Sequence, residues 1–509
     1  MHPRGGHFDR DTRAGGCAGE VIERLEDSID SRAHQDRRSP GSTGRIARGL
    51  AANVAGTALT MIIQLVSVPV LLGAWGVDKY GEWLILSAVP LFVALSDLSF
   101  SAVAGNSMTM LAAAGKRNEA AKLGRQVWSL VTVMTGTTVL AALAIAFVFG
   151  GAFGNGAAIA SPEARLVLAA LFAQVAVGNQ FAMLDAGYRA GGRYPLGVAI
   201  RQVSRLLEFS ALVGAVLLGG GPGAAASAFL AASTVGFVVS WLVLRRAVPW
   251  LSFRPSMPRG ETLRGLVAPG LAFLTFPLSN ALSVQGLTIV VGSVLGTQAV
   301  VVFSTTRTLT RVVTQIMSSI NLSIWPELSR SIGSSHLDEA RMILRHAVQL
   351  SLVVALSAAV TLIAIGPSII RAWTHGLVDP PMALLAVLLL IVVANSFWFT
   401  LTTSLVATNR HVGQAVVYLT STTAALLLAI PFASSFGLVG AAVALLAIDV
   451  AMSVYVVPAA LRVVEDSPRA FLRVLIDLNG AVRAAATIGF ARVKGRRAAI
   501  AGRRGKVIP

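Results

Sequence analysis

Residues 119–125 read EAAKLGR and residues 339–345 read EARMILR. Glu119-Ala120 and Glu339-Ala340 open the two segments and Arg125 and Arg345 close them, at a common separation of roughly 220 residues. Upstream, Gly76 answers Gly296 at the same separation. Downstream, after a slip of about three residues, Ala190 matches Ala407, Arg193 matches Arg410, and Gly223-Ala224-Ala225 matches Gly440-Ala441-Ala442. Single matches among Ala, Gly and Arg are common; their shared order is what marks a repeat. Each copy holds about six apolar stretches of membrane-spanning length, an even number that returns the chain to its starting side. The halves therefore read as parallel repeats, related by an axis along the membrane normal, and substrates of such proteins bind near the midplane where the repeats meet. The pattern points to a transporter.

Composition agrees. The 509 residues are 55% hydrophobic and only 13% charged, with a mean hydropathy of +0.71. A soluble domain carries about twice that charged fraction. A single cysteine, Cys17, excludes an internal disulfide. The first 40 or so residues are polar and lack an apolar run, so no cleaved signal peptide is expected and the first span serves as the insertion signal. The net charge of +18 is spread over short loops and a tail, which argues against nucleic acid as partner and for anionic membrane lipids.

The expected architecture is an all-α polytopic membrane protein of about 12 spans, near 47–72, 82–106, 126–150, 163–187, 194–218, 223–246, 266–294, 298–324, 343–366, 382–406, 412–434 and 438–461. The corresponding division is a disordered cytoplasmic tail (1–44), a six-helix lobe (45–247), a cytoplasmic linker (248–264), a second six-helix lobe (265–462) and a basic amphipathic tail (463–509). Loop charge alternates along this series. Lys116, Arg117, Lys122 and Arg125 follow the second span, Arg189 and Arg193 the fourth, and Arg245, Arg246, Arg254, Arg259 and Arg264 the sixth. Arg330 and Arg341 follow the eighth and Arg410 the tenth, whereas the intervening loops offer only Lys79, Arg165 and Arg371. Under the positive-inside rule both termini are cytoplasmic. In the tail, Phe471, Leu472, Leu475, Leu478 and Val482 form an apolar stripe, with seven basic residues from Arg492 to Lys506 beyond it. That pattern suits a helix lying on the anionic leaflet.

Chemistry concentrates in ionisable residues within spans, each of which costs about 2.5 kcal/mol or more at a helix centre. Arg307 and Arg311 lie four apart on the eighth span, hence on one face, roughly 15 and 21 Å from its outer end at 1.5 Å per residue. Thr305, Thr306, Thr308, Thr310 and Thr314 surround them with hydroxyls. Two roles suit the pair: a cationic site for an anionic headgroup, with guanidinium forks matched to phosphate oxygens, or an internal ion pair with Asp97, Asp185 or Asp449. The fifth span carries Arg201, Arg205 and Glu208 on one face, where Glu208 could neutralise Arg205 and Arg201 lies within snorkelling reach of the cytoplasmic end. Asp97, near the inner end of the second span, suits a structural pairing with a cytoplasmic arginine better than proton coupling. Gln64 and Asn53, on an otherwise apolar first span, suit either sugar hydroxyls or a bridge between helices.

Asn53, Gly56, Gln64 and Pro69, then the turn Gly76-Val77-Asp78-Lys79-Tyr80-Gly81 with Trp83, then Asp97-Leu98, resemble the polysaccharide flippases. These include the O-antigen translocases and belong to the multidrug, oligosaccharidyl-lipid and polysaccharide exporter superfamily. The resemblance is strongest in the first quarter and extends by the repeat over 46–462. Ser99 stands where the family often has Gly, and 12 spans are read where many members have 14. The resemblance implies a V-shaped pair of six-helix lobes whose first, second, seventh and eighth helices line a central cavity. Pro69, Pro90, Pro269, Pro277 and Pro326 fall in those helices, where a missing backbone hydrogen bond allows bending.

The function so implied is movement of an undecaprenyl-diphosphate-linked oligosaccharide from the inner to the outer leaflet of a bacterial inner membrane, alongside other polysaccharide-assembly proteins. The alternatives are a cation or multidrug exporter of the same superfamily, and a membrane-embedded polymerase or ligase. The first span carries no acidic residue after Arg48 to receive a cation. The outer loops near 151–162 and 367–381 hold no cluster of carboxylates and histidines for catalysis. No phosphate loop, metal-ligand spacing or nucleophile elbow is present, so no enzyme activity, cofactor or metal is expected.

Overall fold

The computed structural model describes residues 42–95, 98–149, 161–252, 254, 256, 260, 274–408 and 410–476. The chain divides into two compact units, Met1–Asn53 and Val54–Pro509. Of the first, residues 42–53 are helical; everything below concerns the second.

All regular structure among the described residues is helical. In chain order the helices are α1 (Ser42–Ala94), α2 (Leu98–Ala113), α3 (Arg117–Phe149), α4 (Pro162–Ala190), α5 (Tyr194–Leu217), α6 (Pro222–Ala247), α7 (Leu274–Leu295), α8 (Thr297–Gly333), α9 (Leu337–Trp373), α10 (Met382–Ala407), α11 (Val412–Val463) and the short α12 (Pro468–Ile476). Two of these contain a break that the span reading placed between separate helices. α1 turns at Gly76 (φ 72°, ψ 179°) and α11 at Gly437 (φ 60°, ψ −145°), so each carries two helical segments joined without a loop. Among the described residues, eight helices are long and apolar enough to cross a membrane: α1, α3, α4, α6, α7, α9, α10 and α11. Besides the shorter α2 and α12, that set lacks α5 and α8, the helices that carry the arginines singled out from the sequence.

The repeat reappears as matched backbone geometry. Gly296, at the α7–α8 junction, has φ 89° and ψ 177°, nearly the angles of Gly76. A positive φ with extended ψ is closed to residues bearing a Cβ, which is why both positions are glycine. α2 and α8 end alike. Gly115 and Ser335 both take positive φ, Lys116 N–H donates to Leu111 O and His336 N–H to Ser331 O, each at 2.9 Å. Further on, Arg193 N–H donates to Tyr188 O and Arg410 N–H to Leu405 O, each at 2.8 Å.

The two glycine turns meet. Gln298 Nε2 donates to Asp78 Oδ1 at 3.3 Å, and these residues stand apart by the same interval as Gly76 and Gly296. Positions matched across the two halves thus touch directly. Here α1 and α8 approach so closely that a Cβ on Gly81 would lie 2.5 Å from the Thr297 carbonyl oxygen. Backbone does not yield as a side chain does, so Gly81→Val is expected to force the turns apart and lower stability by about 1–3 kcal/mol. A thermal melt of the purified protein checks this; an unchanged melting temperature would refute close packing between the two turns.

Buried small residues let the later helices pack. Ala425, Ala429, Ala433, Ala441 and Ala442 on α11 are fully covered and sit in one cluster with Leu287, Phe303, Leu344 and Leu401. Cross-helix hydrogen bonds add to this, among them Thr400 Oγ1 to Ser351 Oγ (2.9 Å) and Asn179 Nδ2 to Thr135 Oγ1 (3.1 Å).

The start of the C-terminal tail differs from the surface-lying helix expected. Phe471 of α12 is 1% exposed and packs on Phe397 at 6.2 Å between ring centroids, and Leu475 joins the same cluster. Gln349 Nε2 donates to Val474 O (2.7 Å), Arg341 Nε to Val464 O (2.8 Å), and Arg345 Nε to Asp466 Oδ2 (2.7 Å). The apolar stripe thus turns onto protein because α9 supplies both a greasy face and polar clamps. Leu472 remains exposed, and Leu478 and Val482 lie outside the described residues.

Candidate functional site

A polar cavity of about 420 Å³ lies within the second half of the chain. Its walls come from α7, α8, α10 and α11. α8 contributes a stripe at helical spacing: Arg307, Thr310, Arg311, Thr314, Gln315 and Ser318. Leu309, Val312 and Val313 turn the other way and line an apolar cleft of about 810 Å³, together with Leu65, Pro69 and Trp373. One helix therefore separates a polar space from a greasy one.

Arg307 is held in place. Its Nη1 donates to Ser283 O at 2.9 Å and its Nη2 to Ser283 Oγ at 3.3 Å. Ser283 lies in a π turn of α7, Leu282–Gly286, where the wider winding shifts the hydrogen-bond register and lets a carbonyl accept from another helix. Arg311 lines the cavity, and among the described residues its guanidinium makes no hydrogen bond or ion pair. The hydroxyl-rich surroundings expected from the sequence are largely spent on the helix itself. Thr306 donates to Val302 O, Thr308 to Ser304 O, Thr310 to Arg307 O and Thr314 to Arg311 O; of the five threonines, only Thr310 and Thr314 reach the cavity.

The acidic partners considered for the arginines divide among other roles. Asp185 pairs with Arg201, Nε to Oδ2 at 3.4 Å. Asp449 shares the cavity but accepts from Trp398 Nε1 at 2.9 Å. Asp97 and the side chain of Asn53 lie outside the described residues. Gln64 is brought to the site's edge, where its Oε1 accepts from Gln315 Nε2 at 3.0 Å, tying α1 to α8. Arg201 and Arg205 do not line this cavity. Arg201 lies 4.0 Å over the Phe181 ring, Arg205 Nη1 donates to Thr60 Oγ1 at 3.3 Å, and Glu208 faces Ser233 on α6. Arg201 and Arg205 remain close enough to act electrostatically on Glu208, while each of the three also contacts a neighbouring helix.

Sequence reasoning missed most of the other walls. Asn280, Asn395, Trp398, Gln414 and Tyr418 all line the cavity, and only the helix packing assembles them. Gln315 was accessible by extending the Arg307–Arg311 spacing one more turn. Where the resemblance implied walls from the first, second, seventh and eighth helices, this cavity keeps α7 and α8 and takes its remaining walls from α10 and α11.

Comparisons with known proteins agree with this framework. The profile of a family described as "Polysaccharide biosynthesis protein" matches residues 125–376. No curated protein matches the chain by sequence. Among solved structures, a multidrug resistance MATE family transporter in an inward-facing conformation is similar at TM-score 0.62 and 16% identity, covering 79% of this chain and 98% of that one. The lipid II flippase MurJ in an inward closed conformation gives TM-score 0.61 at 13% identity, covering 83% and 89%. An outward-facing MATE transporter gives 0.57 at 15%, covering 85% and 96%. At these identities the likeness establishes the fold. The matched segment and the fold bear out the resemblance, carried by residues 53–98, to the polysaccharide flippases of the multidrug, oligosaccharidyl-lipid and polysaccharide exporter superfamily.

Proposed function

We propose that this multi-pass membrane transporter flips a lipid-linked oligosaccharide, joined through a diphosphate to a polyprenyl tail, from the inner to the outer leaflet of a bacterial inner membrane. The observation that carries this reading is α8, with Arg307 and Arg311 facing a polar cavity while Leu309, Val312 and Val313 face an apolar cleft. An amphiphile with an anionic head and a long apolar tail fits that division. Sugar hydroxyls cost several kcal/mol each when stripped of hydrogen bonds in hydrocarbon, and a polar cavity removes the penalty. The tail stays in the apolar space or in lipid. A diphosphate of about two negative charges gains about 4–5 kcal/mol in moving outward across an inside-negative potential of roughly 100 mV, so no coupling ion is required thermodynamically.

Export of a cationic compound has Asp449 in its favour, but two guanidiniums in the same cavity oppose a cation. The lobes at 45–247 and 265–462 and the cytoplasmic termini belong to the same proposal. Reconstituted vesicles test it directly. A labelled lipid-diphosphate saccharide placed in one leaflet should become accessible to an impermeant modifying enzyme on the opposite side about tenfold faster than in protein-free vesicles, and faster still under a potential. No acceleration would reject the reading. For topology, reporter fusions at 120, 255 and the C-terminus should face the cytoplasm, and fusions at 155, 220 and 375 the other side; a C-terminus on the outer side would overturn the span assignment.

A further inference from the structure

Pro69 lies inside α1 and has no N–H to donate, so the carbonyl of Leu65, four residues earlier, loses its α-helical donor. Another helix supplies one. Trp373, the last residue of α9, donates from Nε1 to Leu65 O at 2.7 Å across 308 positions of sequence. Among the described residues, the carbonyls four places ahead of Pro90, Pro367, Pro431 and Pro458 receive no side-chain donor, so the bond to Leu65 is not the common fate of a carbonyl that proline frees. Leu65, Pro69 and Trp373 also line the apolar cleft, where an unpaired carbonyl is costly. An indole suits such a place, since it brings an apolar ring and a single N–H.

The bond joins the two halves, and it does so toward one end. Among the described residues, the side-chain hydrogen bonds between 54–247 and 274–476 are Trp373 to Leu65, Gln315 to Gln64 and Gln298 to Asp78, and all three land on α1. The apolar cores divide in the same way. Val301, Ile370 and Val378 of the second half are buried, at 1% exposure or less, in a cluster with Leu71, Leu72 and Trp83 of the first. Away from the glycine turns, the clusters around Met108 and Leu244, around Val127 and Met183, and around Val313 and Met317 each draw on one half alone. The halves are thus joined at the end that bears Gly76 and Gly296, which the span reading places on the outer side.

Resting on the proposed function for that orientation, we infer that Trp373 and the Leu65 carbonyl form a latch that holds the outer side of the protein closed and parts when cargo is released outward. Once the seam opens, water bonds to both the indole N–H and the carbonyl, so the bond contributes only modestly to closure. The latch therefore biases the equilibrium between closed and open forms instead of fixing it. Pro69 keeps the acceptor available, because any other residue at that position returns an N–H to Leu65 O within α1. Trp373 touches no cargo in this role; it sets how often the outer side opens.

Distances across the outer seam test this in full-length protein reconstituted in lipid bilayers, with Cys17→Ser as background and spin labels at Leu218→Cys and Leu377→Cys. Both positions are exposed, one just beyond α5 and the other just beyond α9. Trp373→Phe keeps a ring in place and removes the N–H, and should raise the ratio of wide to narrow distances about fivefold. Pro69→Ala should shift the ratio in the same direction, and Trp373→Phe should gain less when added to Pro69→Ala than it does alone. A ratio unchanged by Trp373→Phe in inserted protein would overturn the latch; should that variant fail to insert, an unchanged ratio in Pro69→Ala overturns it. Equal effects of Trp373→Phe with and without Pro69→Ala would remove the freed carbonyl from the inference. The labels report opening without any substrate. Absence of flipping in vesicles would therefore reject the transport reading and leave the latch standing, whereas unchanged distances would do the reverse.

Discussion

Replacing both Arg307 and Arg311 with Gln is expected to cut surface polysaccharide by about a hundredfold or more while leaving the protein inserted, since each charge-assisted hydrogen bond to a phosphate contributes about 1.5–3 kcal/mol. The single changes separate the two residues. Arg311 lacks a hydrogen-bond or ion-pair partner among the described residues, so Arg311→Gln removes ligand contacts without breaking internal ones and should lower export by about tenfold at unchanged stability. Arg307 is clamped on Ser283, and Arg307→Gln should in addition loosen the junction between α7 and α8. Lys at either place should rescue only in part, because it keeps the charge and loses the fork that grips two oxygens. Quantified export per inserted molecule decides the matter. If Asp449→Asn added to Arg311→Gln restored export, the pair would be an internal ion pair instead of a binding site; normal export by the double Gln variant would exclude an essential phosphate contact.

Asp466→Asn is expected to lower stability by about 3 kcal/mol, toward the lower end of the cost of breaking a buried ion pair by removing one partner. The Asp466 side chain is 3% exposed and pairs with Arg345, whose side chain is 22% exposed, so the variant leaves a largely covered guanidinium without its counter-charge. The consequence reaches beyond the pair. Arg345, Arg341 and Gln349 together hold the chain from Val464 to Val474 against α9, and Phe471 is seated by the same contacts. Proteolysis within α12 should therefore rise in the variant, and truncation after residue 467 should destabilise the protein by uncovering Phe397. A denaturation midpoint equal to wild type in both variants would show that α12 rests on the protein without supporting it.

Much of this fold was legible from spacing. Apolar runs of sufficient length demand helices, since backbone groups in hydrocarbon have no other partners, and helices occur at most of those runs, although the expected 82–106 span is divided between α1, ending at Ala94, and α2, starting at Leu98. The pairing of Gly76 with Gly296 was legible too, and its cause is local: both turns need a φ that only glycine holds without strain. The shared face of Arg307 and Arg311 follows from helical pitch alone. The partner of a charge does not. Pitch says which residues point together and nothing about what another helix brings opposite them. So Asp185 going to Arg201, Asp449 to Trp398 and Arg307 to Ser283 were decided by packing. The stripe of α12 was readable as amphipathic, but whether lipid or α9 covers it depends on Arg345 and Gln349, more than 100 residues away from their acceptors. The cavity is the clearest case. Its arginines announce themselves because a charge in an apolar run is costly, whereas Trp398, Gln414 and Tyr418 look like any neutral residues of a membrane helix until four helices bring them around one space.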